Sequence, residues 1–164
     1  PKHLQAKLID VVPASSSARV ADVVAATLSA FIDREQLESL DAVAALVSAL
    51  RRGGLGAAGT TATIEALRRG QTDVLVIARA YEPGPAWSCK HCGWIVATPS
   101  APEHCPDCES SELQPANFKE AMVKLAERQS IEVEFVEHSD VLMNIGGVGC
   151  LLRYATPPES NQWT

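Results

Sequence analysis

Thr60-Thr61-Ala62-Thr63-Ile64-Glu65-Ala66-Leu67-Arg68-Arg69-Gly70-Gln71-Thr72-Asp73-Val74-Leu75-Val76-Ile77-Ala78 passes from helix to stop to strand in one short stretch. The first part reads as a helix from Thr60 to Arg69, with Gly70 as the residue that ends it in a left-handed conformation. Val74–Ala78 is a continuous apolar run of strand length, which suits a central strand covered on both faces. A helix feeding a doubly buried strand is the unit of an α/β layered domain.

Working toward the N-terminus, Gly53-Gly54-Leu55-Gly56-Ala57-Ala58-Gly59 is a Gly-rich element. Two helical patterns precede it. In the first, Val20, Val23, Val24, Leu28, Phe31 and Ile32 recur at helical spacing after Ser17, read as the N-cap. In the second, Leu37, Leu40, Val43, Val47 and Leu50 share a face, and Arg51-Arg52 before Gly53-Gly54 marks its end. Residues 1–17 read as a linker or the remnant of an upstream domain. The chain starts at Pro1 without a Met and is expected to be a piece of something longer.

Toward the C-terminus, Pro, Cys, Ser, Gly and Trp dominate between Tyr81 and Gln114. A helix follows from Asn117 to Arg128, opened by Asn117 and Glu120 in the manner of a capping box. Ile131, Val133 and Phe135 alternate with Glu132 and Glu134, as in a strand with one wet face. Gly146-Gly147-Val148-Gly149 leads into a last strand through Cys150–Tyr154, and residues 156–164 read as a flexible tail. The expected organisation is one α/β domain over 18–155 with an insert at 84–113.

Hydrophobic residues make up 46% of the 164, enough for a normal core. No apolar run approaches a membrane span. The net charge of -6 argues against non-specific binding to RNA or DNA, which needs a basic footprint. The pairs Arg51-Arg52 and Arg68-Arg69 end helices, where cations favour the dipole. Five cysteines and no signal peptide point to a reducing, cytoplasmic location.

Four of those cysteines stand as Cys89-x2-Cys92 and Cys105-x2-Cys108. A C-x2-C turn brings two thiolates to one tetrahedral ion, and two such turns complete a structural zinc site. Gly93 and Pro106 suit the turns. So few aliphatics in the segment make a metal the natural source of its folding energy. Disulfides, a redox C-x2-C and an iron–sulfur site are the alternatives, with His91 and His104 as substitute ligands. Four thiolates leave no open position for a catalytic water.

Little else suggests chemistry. Gly54-Leu55-Gly56-Ala57-Ala58-Gly59 fits G-x-G-x-x-G, but it follows a helix pattern and lacks the acidic residue at the right distance. His138-Ser139-Asp140 reads as polar loop residues, and Cys150 as a buried thiol. No catalytic constellation is evident.

Two segments together carry a resemblance. Gly59–Ile77 and Ile145-Gly146-Gly147-Val148-Gly149-Cys150-Leu151-Leu152-Arg153-Tyr154 are similar to the third, C-terminal domain of archaeal and eukaryotic class-1 peptide chain release factors and of Pelota. The low charge and Ala-rich helices look like bacterial members. The resemblance covers residues 18–155. It implies a three-layer α-β-α sandwich like the kink-turn-binding ribosomal protein fold, with a small zinc-ribbon-like insert where Cys89–Cys108 stands. It implies a non-catalytic adaptor that docks a translational GTPase, or a ribosome-associated factor such as a recycling ATPase, in termination or ribosome rescue. The family hydrolyses peptidyl-tRNA through a Gly-Gly-Gln loop in another domain. Here Gly53-Gly54 is followed by Leu55 and Gly146-Gly147 by Val148, so this chain is not expected to catalyse that step. The alternative is structured-RNA binding. The RNA-binding relatives use an Asn-Glu pair and a Lys, and the matching positions are Thr61, Ala62 and Glu65, which reverses the charge facing phosphate.

Overall fold

The computed structural model describes residue 11 and residues 13–154. Most of the expected linker and all of the expected tail at 156–164 lie outside the described residues. Helix α1 (Val20–Arg52) is followed by β1 (Gly56–Ala58), α2 (Thr60–Arg68), β2 (Thr72–Ala78), β3 (Ala86–Cys89), β4 (Ile95–Ala97), β5 (Leu113–Ala116), α3 (Phe118–Arg128), β6 (Glu132–Val136), α4 (Asp140–Asn144) and β7 (Val148–Leu152).

Eight of these elements build the main layer. Its four-stranded sheet has the order β1-β7-β2-β6, with β7 antiparallel to both neighbours and β6 parallel to β2. Leu75, Val76 and Ile77 of β2 have no exposed surface, so both faces of the centre are covered. On one face α1 packs across β6, β7 and β1; α2 and α3 pack against each other and against β7 and β6 respectively. Phe118, Met122 and Ala126 are the buried stripe of α3. Its start is fixed by Asn117, whose Oδ1 accepts from the Glu120 N–H at 3.1 Å.

The expected pair of N-terminal helices is one helix of 33 residues, roughly 50 Å long. Nothing in Asp33-Arg34-Glu35-Gln36 breaks a helix, and Arg34 Nε meets Glu38 Oε1 at 2.5 Å across the junction. Ser17 does not cap it: Arg19 holds the N-cap position without a side-chain bond, while Ser17 Oγ bonds Ser15 Oγ. The helix ends as expected, at Gly53 with φ 69°.

Two further elements of the main layer were not legible in the sequence. Within the Gly-rich element, Gly56–Ala58 forms β1. The His138-Ser139-Asp140 loop instead opens α4, with Ser139 Oγ accepting from the Leu142 N–H at 3.1 Å.

The Gly146-Gly147-Val148-Gly149 motif is explained by crowding. A Cβ on Gly147 would stand 2.8 Å from Tyr81 Cδ2, and one on Gly149 2.6 Å from Leu46 Cδ2. These glycines let α1 and Tyr81 close onto β7. Tyr81 is in turn held by a 2.7 Å hydrogen bond between its hydroxyl and that of Thr60.

Candidate metal centre

The second sheet, order β4-β3-β5, is antiparallel throughout; β3 and β4 lie within the segment read as an insert at 84–113, while β5 runs on to Ala116, past that expected boundary. Ala86 and Ile95 are buried and join the main core cluster with Phe118 and Met122. Arg68, at the end of α2, forms an ion pair with Asp107, which lies between Cys105 and Cys108. The insert is therefore tied to the main layer by apolar contact and by one charge pair.

Each C-x2-C pair sits in a knuckle of the same construction. In the first, the Gly93 N–H donates to the Cys89 carbonyl at 3.0 Å, and the Cys89 N–H to the Trp94 carbonyl at 2.7 Å. In the second, the Glu109 N–H donates to the Cys105 carbonyl at 2.8 Å, and the Cys105 N–H to the Ser110 carbonyl at 2.9 Å. The fifth residue of each turn is left-handed: Gly93 at φ 77° and Glu109 at φ 58°. Glycine is suited to that conformation and glutamate is not. The sequence signalled Gly93 as a turn residue; nothing in it marked Glu109.

The two knuckles bring four sulfurs together, all within 4.8 Å of one another. Cys89 Sγ lies 3.6 Å from Cys108 Sγ, and Cys92 Sγ 3.5 Å from Cys105 Sγ. A disulfide would require about 2.05 Å, and none is formed. Four thiolates at about 2.3 Å from a tetrahedral ion stand roughly 3.8 Å apart. The residues thus fit a single metal ion. His91 and His104 are exposed and outside the four-sulfur group.

The electrostatics call for a cation. The backbone N–H of Cys92, helped by that of His91, holds the Cys89 thiol down to about 6 despite its burial. Cys108 receives the Ser110 N–H, but burial and the other sulfurs outweigh it and push the thiol up to about 12. One thiolate forms readily and then opposes the next; a bound dication removes that opposition.

The other expected candidates are structural. Cys150 has no exposed surface, and burial raises its thiol pKa. Gly59 of the G-x-G-x-x-G match has φ 83° and donates its N–H to the Val148 carbonyl at 2.8 Å, stitching β7 to the start of α2. Thr61, Ala62 and Glu65 are all exposed on α2, and Glu65 faces Arg69 at 3.6 Å.

No protein-family model matches the chain, and no curated protein matches it by sequence. Solved structures do. The C-terminal domain of the peptide chain release factor from Methanosarcina mazei superposes with a TM-score of 0.63 at 24% identity, over 88% of this chain and 99% of that one. The fold is similar to that of a release-factor C-terminal domain. Archaeal Pelota, in a model of Pelota and ABCE1 on the ribosome, matches 95% of this chain with a TM-score of 0.56 at 18% identity. Dom34 of S. cerevisiae, a translation termination-like factor interacting with Hbs1, matches 80% with a TM-score of 0.50 at 15% identity. The chain spans 40% and 31% of those two proteins respectively. Among the described residues no helix is long and apolar enough to cross a membrane.

Proposed function

We propose that this chain is a non-catalytic protein-interaction domain of a release-factor-like protein, cytoplasmic and working at the ribosome in translation termination or ribosome rescue. The observation that carries the reading is the fit of nearly the whole release-factor C-terminal domain onto this chain. Its sheet and helices are read as a variant of the kink-turn-binding ribosomal protein fold. Cys89, Cys92, Cys105 and Cys108 hold one structural Zn2+, because a four-thiolate tetrahedral set with no open position suits a structural ion. The docked partner is a translational GTPase or a ribosome-associated factor; Dom34 and Pelota are described with Hbs1 and with ABCE1 on the ribosome. Acidic Glu65, exposed on the second half of α2, opposes the RNA-binding alternative.

The test is co-sedimentation of the zinc-loaded chain with ribosomes, with and without an Hbs1-type GTPase or an ABCE1-type ATPase. Retention that depends on either protein is expected. No enrichment with ribosomes or with either factor would overturn the proposal.

A further inference from the structure

Helix α1 crosses the main sheet in steps. Ser39 lies at β6, donating to the Phe135 carbonyl at 3.3 Å. Leu46 lies over β7, against Gly149, and Ala49 and Leu50 lie over β1, against Gly56. Strands are spaced about 4.8 Å apart and a helix rises about 1.5 Å per residue, so each strand takes roughly three residues of helix. N-terminal to Ser39 the helix therefore runs out past β6, the edge strand. Val24, Leu28, Phe31 and Ile32 fall on the same side of α1 as the sheet-facing Ser39, Val43 and Leu46. Their side chains stay 45–57% exposed. The helix thus roofs the place of a fifth strand.

That place is a groove of about 760 Å³ between Phe31–Leu40 and β6. The Val136 carbonyl accepts from the Arg79 N–H, so even-numbered residues of β6 turn their backbone groups to β2. The backbone groups of Val133, Phe135 and Glu137 then face the open side, and of their carbonyls Phe135's meets Ser39. On the roofed face Glu134 stands in register with Val76 and Gly149. Glu35 lines the same groove. Glu38 and Glu137 are paired with Arg34 and Arg79, while Glu35 and Glu132 have no ion pair among the described residues. Burial, then Glu132 and Glu35, raises the Glu134 pKa. On the opposite face Phe135 is 44% exposed.

We infer that this groove takes an extended segment of a partner protein, added as a strand to β6, with Lys or Arg alternating with apolar residues. The basic side chains lay their stems along Phe31 and Ile32 and bring their charges to Glu35 and Glu134. The apolar ones cover Phe135. Main-chain bonds to the open edge supply affinity without a preformed pocket. A second copy is disfavoured, because two β6 edges would set Glu132 and Glu134 against themselves. RNA is repelled by the same acids. This inference concerns the groove alone and stands whether or not the ribosomal role does.

The test uses the 164-residue, zinc-loaded chain and a fluorescein-labelled ten-residue peptide alternating Lys and Val, followed by anisotropy. Saturable binding is expected, with new exchange protection at the amides of Val133, Phe135 and Glu137. Glu35→Gln with Glu134→Gln should weaken it about tenfold or more. N-methylation of alternate peptide amides should abolish it without touching the protein. The inference is overturned if the N-methylated peptide, or one alternating Glu and Val, binds equally well. It is also overturned if labelled poly-uridine RNA, added without peptide, binds the chain and protects the same amides, or if the chain proves dimeric through this edge. A chain beginning at Pro13 that binds tenfold tighter would overturn it as well, by showing that residues 1–12 are the occupant. No binding at all ends it outright.

Discussion

The two knuckles share their turn hydrogen bonds but differ in the residue at the left-handed position, and that difference gives a test with two opposite signs. Gly93 and Glu109 occupy the same place in turns with the same hydrogen bonds. A Cβ added at Gly93 would meet nothing within 4 Å, so Gly93→Ala perturbs only the backbone. Forcing an L-residue into the left-handed region costs about 1–2 kcal/mol, and the stiffer unfolded chain returns about 0.4–1 kcal/mol. The net penalty is about 1 kcal/mol, or a loss of about fivefold in zinc affinity, because metal binding and knuckle folding are coupled. Glu109→Gly runs the argument backwards and should tighten zinc by about the same factor. The double variant should match the parent. Competition against a chromophoric chelator at fixed pH measures all four proteins. If both substitutions shift affinity in the same direction, or Gly93→Ala leaves it unchanged within twofold, the equivalence of the knuckles is refuted.

Gly149→Ala should destabilise the chain by about 1–3 kcal/mol, since its Cβ would lie 2.6 Å from Leu46 and 2.8 Å from the Ala57 carbonyl. Urea unfolding checks this; in a Leu46→Ala background the added methyl should cost less by the share due to Leu46, while the clash with the Ala57 carbonyl stays, and strict additivity would contradict the crowding against Leu46. Glu134→Gln should raise stability at pH 7 by about 0.3–0.5 kcal/mol, a small figure because the carboxylate is only half-buried. The folded state holds the Glu134 proton more tightly than the unfolded chain does. The ionised form is thus a liability above the folded pKa, and the advantage of Gln closes once both states are protonated, below about pH 4. Melting curves at pH 7 and pH 3.5 decide it. The same substitution should weaken the Lys-Val peptide, separating stability from binding.

What the sequence disclosed follows the range of each signal. The helix through Arg68, the doubly buried run at Leu75–Ile77 and the Asn117 cap rest on residues within one or two turns of each other, and these were legible. So was the gathering of the four cysteines, because two C-x2-C turns are each a local signal. The strand Gly56–Ala58 was not, since it exists through pairing with Gly149–Leu151 at the far end of the chain. The short strands β3, β4 and β5 depend in the same way on each other. Periodicity identified the apolar stripe of α1 but could not say that its first half overhangs the sheet. The left-handed Glu109 and the Arg68–Asp107 tie also left no trace, because both are set by tertiary context.

The second sheet has one further consequence. Its first residue, Ala86, pairs with its last, Ala116. The chain therefore leaves the main layer and comes back at neighbouring points, like a sleeve sewn to a single seam. Everything from the first knuckle to the second could be exchanged for a tight turn while β2 and α3 kept their places, provided Arg68 and the apolar patch around Phe118 were given new cover. Such a module can grow or shrink without renegotiating the sheet that carries it.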